Sequence, residues 1–220
     1  MAELLKSQLQ DEELLRTRRR QIFLAASRVL ARKSFHEATV RDFAVEAGIA
    51  AGSIYVYLQS KDDILFLLAE SMVAELTEAL PGIREKCAGD PQRELLEVMR
   101  AVLDVIDRYR EAFAVMHHEL RYLAGRREYR QALSRVLDDY SSSVADVLER
   151  GRRAGVLHFD DLRSVVEAIH MLCSGWGMGA RYLREVDKET YWREISAMVQ
   201  GRFFAPSNGS RNSTNRQHRE

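Results

Sequence analysis

The strongest constraint on this chain is a spacing. Apolar residues return every three or four positions almost from one end to the other. Strand-like alternation bounded by turn residues is nearly absent, and there are only three prolines, Pro81, Pro91 and Pro206. A repeat near 3.6 with so few breakers calls for amphipathic helices, so the expected fold class is all-α. One stretch stands apart. Between Glu46 and Lys61 the sequence AGIAAGSIYVYLQS carries no charge. A core helix would be longer and more apolar, and a surface helix would carry more Glu and Lys. The composition suits a surface that must meet a partner closely.

Cap residues divide the periodic sequence. RTRRRQIFLAASRVLARKS places Ile22, Phe23, Ala26, Val29 and Leu30 on one helical face. Thr39 is a predicted N-cap for VRDFAVEA, which Gly48 ends, and a short helix AAGSIYVYL follows. Ser60 is the predicted cap of the next helix, with Asp62 and Asp63 in its first turn, where carboxylates favour the helix dipole. That helix is expected to stop near Pro81 and Gly82. Asp90 with Pro91 opens another. Helices are then expected over REAFAVMHHELRYLA, REYRQALSRVLDDYSSSVADVLERG, DDLRSVVEAIHMLCSGWGMGARYLR and DKETYWREISAMVQGRFF. The polar tail from Pro206 reads as disordered.

Net charge is zero but unevenly spread. From Arg16 to Lys61 there are nine Lys/Arg against three acids (Glu37, Asp42 and Glu46), a net +6 balanced by −6 elsewhere. A basic module on an acidic body points to a polyanionic partner for one part of the chain only. No apolar run reaches the ~18 residues of a membrane span, and MAELLKSQLQDEELL lacks a signal-peptide layout. Cys87 and Cys173 have no C-x-x-C spacing. A cytoplasmic protein with reduced thiols and no membrane partner is expected.

The uncharged stretch gains a meaning beside the helix before it. A helix-turn-helix needs two short helices crossing through a tight turn. Phe43, Ala47, Ile49 and Ile54 are spaced to share a small core, Ala44 is small enough for close crossing, and Gly48 sits where a positive φ is cheap only for glycine. The second helix would then face base edges in a DNA major groove. Ala50, Ala51 and Gly52 would let the backbone approach. Ser53, Tyr55 and Tyr57 offer hydroxyls to phosphates or bases and ring faces to thymine methyls. Lys61, beginning the next helix, could reach a phosphate, and Thr39 and Arg41 could hold the other side of the groove.

Residues 18 to 65 resemble the N-terminal DNA-binding domain of the TetR family of bacterial transcriptional regulators. The likeness rests on Ala25–Ala26, Thr39–Val40, Ala44, Ala47–Gly48, Gly52, Ser53, Tyr55, Tyr57 and Lys61. It departs at Phe35–His36, where the family often has a glycine-containing turn, at Ala50, where a serine often caps the recognition helix, and at Leu58, usually phenylalanine. The resemblance implies a nine-helix homodimer that binds a palindromic double-stranded DNA operator, most simply as a repressor. Its last two long helices would form a four-helix interface, and its middle helices would enclose a small hydrophobic effector. The implied layout is an arm over residues 1–15, the helix-turn-helix over 16–62, a ligand-binding and dimerisation domain over 63–205 and a tail over 206–220.

Pocket walls are ordinary core positions that leave a gap. Met99, Leu103, Phe113, Met116, His117, Leu120, Tyr140, Ile169, Cys173 and Trp176 are the candidates. The pattern HHELRYLAGRREYRQAL…Y…VLERGRRAGVL is similar to TetR-family regulators of fatty-acid and lipid degradation, whose effectors are acyl-CoA thioesters. Arg121, Arg126, Arg127, Arg130, Arg152 and Arg153 could serve a phosphate-rich head group outside an apolar tunnel. The alternative is an unrelated hydrophobic compound and a role in efflux or detoxification control. His117–His118–Glu119 lacks the i, i+4 spacing of a helical metal site, so no metal or cofactor is expected. No H-E-x-x-H, G-x-S-x-G or Gly-rich phosphate loop marks an enzyme. Gly175, Gly177 and Gly179 fall inside one predicted helix at a cost of about 1 kcal/mol each relative to alanine. A dimer seam, room for a ligand beside Trp176, or a kink could account for them.

Overall fold

The computed structural model describes residues 2–123, 127–179 and 186–204; the side chains of residues 2–11, 122, 128–130, 132, 133 and 139 are left aside. Among the described residues eight α-helices run in order: α1 (Ala2–Leu30), α2 (Val40–Ala47), α3 (Asp63–Cys87), α4 (Pro91–Arg108), α5 (Arg110–Leu123), α6 (Arg127–Arg153), α7 (Leu162–Met178) and α8 (Lys188–Phe203). A single 3-10 turn, Ser53–Val56, lies between α2 and α3. The one β-type pairing among the described residues is an isolated bridge between Leu157 and Phe204. No described helix is long and apolar enough to cross a membrane. The fold is all-α, with the predicted tail outside the described residues from 205 onward.

One hydrophobic core runs through both ends of the molecule. Helix α1 packs on α2, α3 and α5; α3 lies on α4 and α6; α4 is central, touching α6, α7 and α8. The caps at Thr39, Asp90, Asp161 and Asp187 each accept backbone N–H groups of the following turn, as short polar side chains at N-caps do. The stretch before α1's basic run is not set off by a break: α1 is continuous from Ala2.

Helix α3 does not stop at Pro81. It continues to Cys87 with the proline inside it. An interior proline costs about 3 kcal/mol, and packing outweighs it here. Leu76, Leu80 and Ile83 follow at spacings of four and three against the core, and Cys87, four residues further on, is buried, while Pro81 faces solvent. The start of α3 also differs from expectation. Ser60 does not cap it through its hydroxyl. Instead the Asp63 carboxylate accepts the N–H groups of Gln59 (2.6 Å) and Ser60 (2.9 Å) and the Ser60 hydroxyl (3.1 Å).

The glycines of α7 have an answer inside the chain. A Cβ on Gly175 would come within 2.5 Å of the Tyr191 hydroxyl, and one on Gly177 within 2.3 Å of the Phe113 ring and 2.7 Å of Ile106. Two of the three glycines therefore admit α8 on one side and the α4–α5 junction on the other. Gly179 follows the last turn of α7 as its C-cap.

Candidate DNA-binding surface and cavity

The N-terminal unit is assembled by short-range chemistry. Thr39 and Asp42 form a reciprocal capping box on α2, which satisfies two otherwise orphan N–H groups. Gly48 closes α2 at φ 66°, and the N–H of Ile49 bonds the Ala44 carbonyl at 3.0 Å. The shared core expected from the spacing is present: Phe43, Ala44, Ala47 and Ile54 are at most 4% exposed, and Ile49 packs against them.

The second helix is shorter and tighter than AAGSIYVYL suggests. Only Ser53–Val56 is helical, as one 3-10 turn whose N-terminus has no side-chain cap. The Ser53 N–H reaches the Ala50 carbonyl three residues back, and the Tyr57 N–H reaches Ile54. With alanine at position 50 and glycine at 52, no side chain can bond the orphan donors, and i→i+3 bonds take up the slack. Ala50, Ala51, Gly52, Ser53 and Tyr55 are exposed in a row, and Tyr57 is half-buried against the core. Arg41 is exposed at the start of α2.

The sequence reading missed two residues here. Val56, next to Tyr55 in the chain, is 78% exposed, and Val45 on α2 is 71% exposed, both β-branched side chains turned outward. The signal was available: with Ile54 and Leu58 buried, positions 55 and 56 must face out.

Two predicted contacts have internal duties. The Thr39 hydroxyl is engaged with Asp42, donating to the carboxylate at 2.8 Å and accepting its N–H at 3.2 Å. The Lys61 ammonium donates to the carbonyls of Phe35 (2.9 Å), Ala38 (3.2 Å) and His36 (3.4 Å) and lies 4.6 Å from the centre of the Phe35 ring. An ammonium has three N–H donors, and all three are used. The lysine closes the 35–38 loop, whose Phe35 is buried. That is how the chain manages without a glycine-containing turn there.

Much of the basic charge is also paired. Arg28 and Arg32 share Glu46, and Lys33 bonds Asp42 at 2.9 Å. Arg19 and Arg20 reach Glu70 and Glu75 on α3. The Lys33 ammonium, then the Thr39 hydroxyl, hold the Asp42 carboxyl far below the usual carboxylate range. The two arginines likewise lower Glu46.

The second feature is a cavity of about 360 Å³ bounded by α3, α4, α5, α6 and α7, within the size of small-molecule sites. Of the predicted pocket residues, Phe113, Met116, His117, Leu120 and Tyr140 line it. Met99, Leu103, Ile169, Cys173 and Trp176 do not. They are at most 2% exposed and packed in the solid core. Cys173 points its thiol at the Met99 carbonyl, and burial pushes that thiol up to about 12. Trp176 donates its indole N–H to Asp107 at 2.8 Å. Sequence reasoning missed the α3 wall, Met72, Val73 and Leu76, and the α7 groups His170 and Ser174.

Of the basic cluster, Arg121 lines the cavity, and Arg152 and Arg153 pair with Glu149. Arg127 is exposed. Arg126 and the Arg130 side chain lie outside the described residues. No three His, Cys, Asp or Glu side chains are grouped to hold a metal among the described residues.

Residues 22–68 match the family model described as "Bacterial regulatory proteins, tetR family", and residues 88–177 match "Tetracyclin repressor-like, C-terminal domain". The chain belongs to the TetR family of bacterial transcriptional regulators. It is 30% identical over 122 residues to the HTH-type transcriptional regulator HbdR of an Aromatoleum species, a match covering 56% of this chain and 53% of that one, so it spans about half of that relative's length. It is 29% identical over 136 residues to the fatty acid metabolism regulator protein of Bacillus subtilis, covering 61% and 68%. The solved structure of Bacillus subtilis FadR in complex with stearoyl-CoA superposes with a TM-score of 0.70 at 24% identity, covering 82% of this chain and 97% of that one. These relatives are regulators rather than enzymes.

In this TetR-family chain the two features meet at one junction. Val105 and Ile106 line the cavity near the end of α4. Tyr109 follows at the C-cap, with its ring edge-on to Phe23 of α1 at 4.7 Å and its hydroxyl donating to Glu75 at 3.0 Å. Arg20 of α1 and Arg108 of α4 join the same carboxylate. A second link runs from His36 to Glu119 of α5 at 3.6 Å.

Proposed function

We propose that the chain acts as a homodimeric repressor on a near-palindromic DNA operator, released by a small hydrophobic effector. The observation that carries this reading is the α4–α5 junction. Cavity-lining Ile106 and Phe113 flank Tyr109, and Tyr109 packs on the helix that supports the DNA-facing unit. A ligand that spreads α4 from α5 would press on α1 and shift the recognition turn. The coupling would be about 1–3 kcal/mol, typical for linked sites.

DNA contact is assigned to Ala50, Ala51, Gly52, Ser53, Tyr55 and Tyr57, with Arg41 at the groove edge and Val45 and Val56 as apolar contacts to thymine methyls. Thr39 and Lys61 hold these groups in place, so any phosphate contact they make comes second to that. Dimerisation through α7 and α8 is supported by Met198, 59% exposed on α8, and by Met171, 47% exposed on α7 where it also borders the cavity. An acyl-CoA is the first effector to try, on the strength of the apolar α3–α4 wall and the fatty-acid regulator among the relatives.

Selection of bound sequences from a random DNA pool at moderate salt tests the first part. An enriched near-palindrome is expected. Binding that follows salt alone, with no enrichment, would sink sequence-specific recognition. The enriched site then becomes the probe for release by acyl-CoAs.

A further inference from the structure

The cavity has two unlike sides. Its α3 and α4 walls are purely apolar, with Met72, Leu76 and Val102 among them. On the α5–α7 side, His117, Tyr140, His170 and Ser174 all reach it. Tyr140 is 3% exposed, and its hydroxyl has no protein hydrogen-bond partner among the described residues. Its ring lies 5.8 Å from that of His170, whose Nε2 is 3.5 Å from the Ser174 hydroxyl. His117 stacks on Phe113 at 5.9 Å. Burial lowers both histidines below their ordinary value, so near neutral pH these groups are uncharged donors and acceptors. The charged lining residues, Arg121 and Glu167, are exposed and mark the mouth.

A buried hydroxyl left without a partner is costly, and a ligand group that reaches it from the cavity gains by supplying the missing bond. A saturated hydrocarbon chain cannot do so. A buried carboxylate would face neutral groups and lose its hydration without a counter-charge.

Resting on the reading that this cavity holds the effector, we propose that the effector carries an uncharged oxygen group, a hydroxyl or carbonyl, within its apolar part. Tyr140 reads that group, with His170 and Ser174 beside it. The ligand class is an oxygenated apolar skeleton rather than a plain saturated chain.

Calorimetric titration of the full chain with matched pairs tests this. The pairs are 2-naphthol against 2-methylnaphthalene, and 3-hydroxydecanoyl-CoA against decanoyl-CoA. The oxygenated member of at least one pair should bind about tenfold tighter or more. Tyr140→Phe should abolish that preference and bind the member lacking the hydroxyl at least as well as the wild type does. Without ligand, its Tm should equal or exceed the wild-type value, because the hydroxyl it loses bonds no protein group. Equal binding within both pairs, a preference that survives Tyr140→Phe, or a clear fall in the unliganded Tm would each overturn the proposal. Discrimination in the naphthalene pair with neither thioester bound keeps it and removes the acyl-CoA reading. Both thioesters bound equally, with no discrimination between the naphthalenes, does the reverse. No binding by any probe overturns both.

Discussion

The DNA-facing unit and the cavity are built in opposite ways. Between Thr39 and Lys61 nearly every constraint is met by a residue close in sequence. Thr39 answers Asp42 three positions on, Gly48 makes the turn at positive φ, and Ala50 accepts from Ser53. The cavity is bounded by residues from Ala69 to Ser174 on five helices, and none of them defines it alone. One region is specified by what its residues do, the other by where packing stops short. The two should therefore respond differently to the same kind of damage.

The largest contrast is expected from truncating one buried side chain in each. Ile54 is fully buried and ties the recognition turn to the core. Ile54→Ala should cost about 2–5 kcal/mol, as in other well-packed cores, and abolish operator binding. Met116 is as apolar but lines the cavity, so it has fewer contacts to lose. Met116→Ala should cost less than about 2 kcal/mol and leave DNA affinity intact without effector. Urea unfolding and operator titration of the two variants measure this. Equal stability losses would erase the distinction.

A smaller effect probes the border between packed core and cavity. Gly177→Ala places a Cβ against Phe113 and Ile106, both of which also line the cavity. They can yield only by moving into it or by pushing α7 away. Overpacking of this kind costs about 1–3 kcal/mol, and effector binding should weaken with stability. Full stability with unchanged effector affinity would mean that the α4–α5 junction is softer than its geometry implies.

The same division explains what the sequence could and could not reveal. Caps, the αL glycine and the buried face of α2 are each a residue type at a fixed offset, so Thr39, Gly48, Phe43 and Ile54 were legible. Lys61 was legible as a position but not as a brace, because its acceptors are carbonyls 23 to 26 residues away. The continuation of α3 past Pro81 was hidden because it depends on Ile83 packing on the core and Cys87 becoming buried, which only the folded chain brings about. Among the pocket candidates, Phe113 and Met99 look alike as sequence, though only Phe113 lines the cavity. Whether a buried apolar residue faces a neighbour or a gap is decided by helices far away in the chain. Gly175 and Gly177 did announce a close approach, but not that Tyr191 and Phe113 of the same chain make it.

The smallest effects concern pH, and they should separate the two regions by window. Thr39→Ala removes one half of the capping box and should cost about 1 kcal/mol. Asp42 has a folded-state pKa lowered by Lys33 and Thr39. Its contribution is present above the unfolded value of about 4 and is lost as pH falls through the folded one, because the unfolded state then binds the proton first. Thr39→Ala should therefore lose part of its own cost as the medium is acidified below about pH 4. The cavity histidines work in a higher window. His117 and His170 are lowered by burial, so below about pH 6.5 the unfolded chain takes up protons that the folded one resists, and stability falls with pH. His170→Phe should flatten that slope, while Asp42→Asn should leave it unchanged. Tm measured from pH 7.5 down to about 3 for the wild type and the three variants decides both points. A slope that His170→Phe leaves intact would place the titrating groups outside the cavity and weaken the case that its polar side is held neutral.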